Sequence, residues 1–140
     1  MAGEKQEVKL LLENWREYLN EGSSLVLKIN DVPLNVEVAS DEESIKKGLA
    51  HRSELGQNSG MLFVFPKATQ QSFWMKDTDI PLSIAYLGED NKILNIEDMA
   101  PHDTNGVKSH GPAKCAIEVN QGWFDSKGIQ PGDHVEGIDR

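Results

Sequence analysis

Hydrophobic and polar residues repeat with two different periods along this chain. Over residues 5–20 the apolar positions recur every third or fourth residue, at Val8, Leu11, Leu12, Trp15 and Leu19, which is the spacing of one helix face. Gly22 then supplies a helix stop. We therefore predict an amphipathic helix within an N-terminal extension over residues 1–22, packed on the following domain or on a partner. A single β-rich domain is predicted over residues 23–140.

Strict alternation begins after this helix, in the two runs 25–29 and 34–38. This period is typical of a hairpin with one buried face, and the turn falls on residues 30–33. The inward positions are predicted to be Leu25, Leu27, Ile29, Leu34, Val36 and Val38. Ser40 with Glu43 three residues later has the pattern of a capping box and predicts a short helix that ends near Leu49.

The second half of the chain is patterned mainly as strands. Residues 61–65 are apolar at every position, which indicates a central strand, and Pro66 is predicted to end it. Other strands are predicted over residues 71–76, 82–87, 92–98, 114–120 and 134–138, with a short helix over 123–127 and a long loop from 99 to 112. The expected class is α+β, a curled antiparallel or mixed sheet, barrel-like, with two or three short helices.

Composition restricts the class of protein further. The chain has 140 residues, of which 38% are hydrophobic, and a single cysteine, so an internal disulfide framework and a CxxC zinc or redox site are excluded. It contains no apolar run of about 20 residues and no signal-peptide profile at its start. We expect a soluble, monomeric single domain without a transmembrane segment. Glycine-rich nucleotide-binding motifs are also lacking.

The net charge of −9 is concentrated in one window, Asp77–Asp103, which has seven acidic residues and one basic residue, Lys92. Proteins that bind nucleic acid carry clusters of Lys and Arg instead, so we expect no nucleic-acid partner. The acidic window is interpreted either as solvated hairpin ends or as a site for a cation or a cationic partner.

Four side chains are candidate ligand-binding residues: Arg52, Trp74, Lys76 and Glu118. Trp74 and Lys76 share one face of a predicted strand, and Glu118 lies opposite the inward residues Ile117 and Val119. If these faces line one cleft, an aromatic platform beside charged groups could bind a sugar or another polar ligand. The alternative is a core tryptophan and an Arg–Glu pair that braces a loop.

Other residues are candidates for catalysis or metal binding. Cys115 shares a strand face with Ile117, which predicts a buried, inert thiol. Asp98 with Glu118 is the carboxylate pair to examine for glycosidic hydrolysis. His102, Asp103, His110 and Cys115, with His51, lack zinc-ligand spacing, so no metal and no cofactor is predicted. An apolar group is assigned to the core: Met61, Phe63, Phe65, Phe73 and Met75.

Five motifs resemble a known family. They are 48–52 (GLAHR), 60–65 (GMLFVF), 73–78 (FWMKDT) with 80–82 (IPL), 117–123 (IEVNQGW), and 128–133 with GI and PGD at its ends. Over about residues 32–138 the chain resembles the DUF192 family, also called UPF0127, which is described as having unknown function. Many members look exported or lipid-anchored, which implies a periplasmic or secreted setting if a signal sequence was removed, and otherwise the cytoplasm.

The chain departs from the family pattern at Ala50 and His51, at Asp77 where Asn is usual, and at Ser83 where Asp is usual. If that aspartate were a general base in relatives, this chain would lack it. We expect a small non-catalytic ligand-binding or accessory domain, for carbohydrate or another polar cell-envelope ligand. The alternatives are a hydrolase or lyase acting on a carbohydrate-like substrate, and a protein-interaction module that uses the N-terminal helix or the acidic window.

Overall fold

The computed structural model describes residues 24–138 as nine strands and two short helices. The first half contains β1 (Ser24–Ile29), β2 (Val32–Ala39), α1 (Glu42–Lys47), β3 (Ser59–Thr69) and β4 (Ser72–Phe73). The second half contains β5 (Leu82–Leu87), β6 (Ile93–Met99), β7 (Val107–Lys108), β8 (Ala113–Asn120), α2 (Trp123–Ser126) and β9 (Val135–Glu136). The predicted helix over residues 5–20 lies outside the described residues.

Seven strands form one strongly curled sheet in the order β6-β5-β8-β3-β2-β1-β9, and β4 pairs with β7 in a separate small sheet. The seven-stranded sheet is mixed, because β2 and β3 run parallel while the other pairs are antiparallel. A bridge between Lys92 and His134 brings the two ends of the sheet together. The predicted α+β class with a curled, mixed sheet is confirmed.

The hairpin of β1 and β2 forms as the alternating pattern predicts. Asn30 and Asp31 make a two-residue turn with φ values of 51° and 66°, the left-handed geometry that matches the twist of paired strands. Leu27, Ile29 and Leu34 are fully buried. The turn is shorter than predicted, since β2 already begins at Val32.

The sheet is covered on both faces, so it separates two hydrophobic cores. The first core draws on all seven strands and on α2, and it contains Leu62, Ile117 and Phe124. The second core lies on the other face and contains Phe63, Ile84 and Tyr86. Neighbouring residues of β3, β5 and β8 therefore alternate between two buried surfaces, which explains why these strands read as continuous apolar runs.

Other local predictions are wrong in detail. The N-cap of α1 is Asp41, whose Oδ1 accepts a hydrogen bond from the Ser44 amide at 2.7 Å, and not Ser40. The predicted strand over residues 71–76 is reduced to Ser72–Phe73, and the predicted last strand to Val135–Glu136.

Pro66 does not end β3, because β3 bulges around it. The pairing of β3 with β8 shifts between Val64 and Thr69, so four residues of β3 lie opposite Lys114 alone. The Lys114 ammonium donates to the carbonyl oxygens of Phe65 at 3.0 Å and Pro66 at 2.9 Å. A proline is accepted here since the bulge requires no ladder hydrogen bond from its nitrogen.

Replacing Lys114 with methionine should lower the free energy of unfolding by about 1–3 kcal/mol, because two bulge carbonyls lose a charged donor while the apolar stem is kept. Urea denaturation measures this, with the exposed Lys108→Met as the matched control. Equal stability of the two variants would show that the bulge does not depend on the ammonium group.

Candidate functional site

A pocket of about 740 Å³ opens on the second core, between α1 with the turn after it and the segment that follows β4. One wall comes from residues 43–51 and the other from residues 71–78. Phe63 of β3 and Glu118 of β8 reach it from the sheet. The pocket is large enough for a small organic ligand.

The two walls are fixed by left-handed backbone positions. Gly48 ends α1 with a φ of 48°, and a Cβ there would lie 3.4 Å from the Phe63 ring and 3.9 Å from Glu118 Oε1. His51 and Asp77 have φ values of 67° and 56°, and the His51 amide donates to the Asp77 carbonyl at 2.9 Å. The walls are thus hydrogen-bonded to each other at one side of the pocket.

Glu118 is the charged residue that the sheet presents to the pocket. Its side chain is on the same face as Met61 and Ile84, which pair with it on the neighbouring strands, and it is only 4% exposed. Within residues 24–138 no hydrogen bond or ion pair engages its carboxyl. No fully buried side-chain oxygen or nitrogen lacks a partner in that part of the chain, so the carboxyl oxygens are open to the pocket. Burial raises the pKa of Glu118 to about 8, so this side chain is mainly a neutral carboxylic acid at pH 7.

Trp74 stands at the outer part of the pocket and is 54% exposed. The ammonium of Lys76 lies over its ring, 5.6 Å from the centroid, within the range of a cation–π contact. The core alternative for this tryptophan is therefore wrong. Next to it, Phe73 is half-buried and packs edge-on against Phe63, with 4.8 Å between the ring centroids.

Arg52 is not part of the pocket lining. Its guanidinium forms a two-pronged pair with the Glu37 carboxylate on β2, with Nη2–Oε1 at 2.9 Å and a second contact from Nη1 to Oε2. This pairing lowers the pKa of Glu37, chiefly through the hydrogen bonds from Arg52. Arg52 therefore braces the loop after α1 against β2, while Trp74, Lys76 and Glu118 line one pocket.

The carboxylates chosen for glycosidic hydrolysis lie on opposite faces of the sheet. Asp98 pairs with Ser83, whereas Glu118 pairs with Ile84, the next residue of β5. Asp98 accepts a hydrogen bond from the Ser83 hydroxyl at 2.7 Å, and Ser83 accepts one from the Gly122 amide at 3.0 Å. These two carboxyls cannot flank one glycosidic bond.

The histidines and the cysteine do not assemble into a metal site. In the part of the chain that the structure describes, no group of three or more His, Cys, Asp or Glu side chains could hold a metal ion. His102 contacts Asp79 at 2.7 Å and His110 lies 3.6 Å from Glu97, both on the surface. Cys115 is buried in the first core, as its strand position predicts.

Sequence reasoning missed the contribution of α1 to the pocket. Lys46, Lys47 and Gly48 line it, whereas the sequence pattern of this segment predicts only a short helix. It also assigned Phe63, Phe73 and Met75 entirely to the core, and these side chains line the pocket as well. The detectable signal was Glu118, a single acid inside the apolar run 115–119.

Comparisons with known proteins extend over most of the chain. The model of the DUF192 family, described as "Uncharacterized ACR", matches residues 25–137. A protein from Sinorhizobium meliloti 1021, provisionally described as a transcription regulator, has a similar structure with a TM-score of 0.79 and 30% identity, covering 82% of this chain and 94% of that one. No curated protein matches.

A second similar structure is that of a protein of unknown function from Novosphingobium aromaticivorans DSM 12444. It has a TM-score of 0.75 and 33% identity, and the alignment covers 81% of this chain and 83% of that one. Within residues 24–138, no helix is long and apolar enough to cross a membrane.

Proposed function

This chain belongs to the DUF192 family, whose description assigns no activity, and we propose from the geometry that it is a small non-catalytic ligand-binding domain. The observation that carries the proposal is the pocket with Trp74 at its mouth and the unpartnered carboxyl of Glu118 at the sheet. The carboxyl oxygens open into the pocket and have no protein partner among the described residues, so a ligand that donates to them gains a hydrogen bond in a largely desolvated site.

The proposed ligand is a small polar molecule with an apolar face, such as a carbohydrate. An indole stacks on the apolar face of such a ligand, and the carboxyl fixes its orientation through hydrogen bonds. Phe73 and Met75 contribute to the apolar part of the lining. We propose further that the domain works as a monomer and does not bind nucleic acid, since its net charge is −9.

Trp74→Ala should weaken ligand binding about tenfold, the scale of a lost aromatic contact, and leave the melting temperature nearly unchanged because the side chain is half-exposed. The measurement is a titration of neutral sugars, amino sugars and small amines into labelled protein, followed by amide chemical shifts. Binding should perturb the amides of Gly48 and Phe73.

The matched control is Val26→Ala, since Val26 is the other large hydrophobic residue exposed in the described chain, at 57% against 54% for Trp74. It lies on β1, away from the pocket lining, and its removal should leave binding intact. Absence of any binding from the whole panel, or equal loss in both variants, would refute the proposal.

A further inference from the structure

No oppositely charged side chain lies next to the Glu118 carboxyl on its face of the sheet. On its strand the same-face neighbours are Ala116 and Asn120, and the Asn120 amide donates to the carbonyl oxygens of Leu55 and Gly56. The facing residues of β3 and β5 are Met61 and Ile84. None of these groups can neutralise a carboxylate.

Titratable groups on the surrounding elements are already engaged or lie nearer the pocket mouth. Tyr86 of β5 donates its hydroxyl to the Val107 carbonyl at 2.6 Å, and Glu97 of β6 accepts from Asn95 at 3.0 Å and lies 3.6 Å from His110. On β2, Glu37 is paired with Arg52. The pocket itself is lined by the charged or titratable side chains of Glu43, Lys46, Lys47, His51, Lys76 and Asp77.

A carboxyl can become negatively charged, whereas a side-chain amide cannot. A glutamine would offer a ligand both a donor and an acceptor at every pH without a titration penalty. Glutamate adds the ability to become negatively charged, and this charge acts strongly at a site that is 4% exposed. The residue type therefore favours a ligand that brings a positive charge.

The remaining lining agrees with a single positive charge on the ligand. The aromatic residues Phe63, Phe73 and Trp74 line the pocket, and ring faces attract cations. Three lysines and two acids, Glu43 and Asp77, occupy the rest of the charged lining. These lysines disfavour a ligand with several positive charges and suit one whose far end is neutral or anionic.

We propose that the pocket binds a ligand with one ammonium group, which forms an ion pair with the Glu118 carboxylate among the aromatic rings. This inference rests on the proposed ligand-binding function and specifies the ligand class for the same pocket.

Binding of this kind is coupled to a proton. Before a ligand binds, burial keeps Glu118 mainly protonated at pH 7, since its pKa is raised to about 8. An ammonium group lowers that pKa on binding, so about one proton leaves the carboxyl for solvent per ligand bound at pH 7. Because the ligand needs the ionised form, affinity should rise about tenfold per pH unit below pH 8 and level off above it.

The experiment compares 2-phenylethylamine with 2-phenylethanol, which differ only in the amine and hydroxyl groups. Calorimetric titration of the whole chain at pH 6.5, 7.5 and 8.5, in buffers of different ionisation enthalpy, gives affinity and proton release. The amine should bind at least tenfold more tightly than the alcohol at pH 8.5, and its binding should release about one proton at pH 6.5. Glu118→Gln should abolish the preference, the proton release and the pH dependence, while binding of the alcohol persists.

The experiment distinguishes failure of the ammonium inference from failure of the proposed ligand-binding function. Equal binding of amine and alcohol, or amine affinity that falls above pH 8, would overturn the ammonium inference and leave a ligand-binding pocket in place. If neither compound nor the sugar panel perturbs the pocket amides, the proposed function itself falls. A preference for the amine that survives Glu118→Gln would assign the charge recognition to another group and also overturn the inference.

Discussion

Replacing Glu118 with glutamine is expected to stabilise the protein above neutral pH, by about 4–5 kcal/mol at pH 8.5. In the folded chain the pKa of Glu118 is raised from its usual 4.5 to about 8 by burial. The unfolded chain ionises this carboxyl near pH 4.5, so between pH 4.5 and 8 the folded state holds more protons than the unfolded state. Folding therefore becomes less favourable as pH rises through this interval.

The difference in the free energy of unfolding between wild type and Glu118→Gln should depend on pH in a defined way. Below pH 4.5 the two proteins should be about equally stable, because the carboxyl is neutral in both the folded and unfolded states. The gap should widen by about 1.4 kcal/mol per pH unit and level off above pH 8. Other titrating groups are common to both proteins and cancel in the difference.

Urea denaturation at pH 4, 6, 7 and 8.5 measures this gap. The matched control is Glu89→Gln, which makes the same change at an exposed residue after β5 and should stay within about 0.5 kcal/mol of wild type. If the free energies of unfolding of wild type and Glu118→Gln change with pH in parallel, water or a counter-charge reaches the carboxyl in the folded protein.

The predicted stabilisation bears on why glutamate occupies this position. A chain selected only for folding gains by losing this charge, as happens for strained groups at binding sites. The same substitution is expected to remove the preference for an ammonium ligand. A variant that is more stable and binds less selectively would tie the instability at Glu118 to ligand recognition.

Much of the sheet was predictable from the sequence, because β1 and β2 alternate buried and exposed residues while β3, β5 and β8 are nearly continuous buried runs. The β1–β2 hairpin is an example, since Leu27 and Leu34 alternate with polar residues and Asn30-Asp31 accept left-handed geometry. Pro66 misled the strand assignment because a bulge is a property of two strands. The parallel pairing of β2 with β3 also depends on the path of α1 and cannot be read from a local pattern.

The site was predictable in residue type and only partly in arrangement. Trp74, Lys76 and Glu118 stood out as polar or aromatic residues amid apolar runs, and all three line the pocket. Their convergence depends on the packing of the segment after β4 over the face of β8 that holds Glu118, which no local pattern specifies. Arg52 does not join them, because its ion-pair partner is Glu37 on β2. Glu37 lies beside Met61 of β3 in the sheet, and this arrangement cannot be read from the sequence around Arg52.

Replacing Phe63 with alanine is expected to lower the free energy of unfolding by about 3–5 kcal/mol, the cost of removing a fully buried aromatic ring. Phe63 is 0% exposed and packs edge-on against Phe73. A typical domain has about 5–15 kcal/mol of stability, so the variant should remain folded in dilute urea. Phe63→Leu, at a cost of about 1.5 kcal/mol or less, serves if the alanine variant does not fold.

Phe124→Ala is the matched control, because Phe124 is 1% exposed, belongs to the first core and packs edge-on against Trp123. Both alanine variants should lose similar stability. Only Phe63→Ala opens space beside Glu118, since the Phe63 ring and the Glu118 carboxyl both lie within 4 Å of a Cβ built on Gly48. Water entering that space should lower the pKa of Glu118 and flatten the fall of stability between pH 4.5 and 8.

The comparison thus separates loss of packing from loss of desolvation. Denaturation at pH 4.5 and 8.5 should show the full pH dependence in Phe124→Ala and a reduced one in Phe63→Ala. If both variants keep the wild-type pH dependence, Phe63 does not exclude water from the carboxyl. If both lose it, the two cores are coupled through the sheet and the burial of Glu118 depends on the whole fold rather than on the pocket wall.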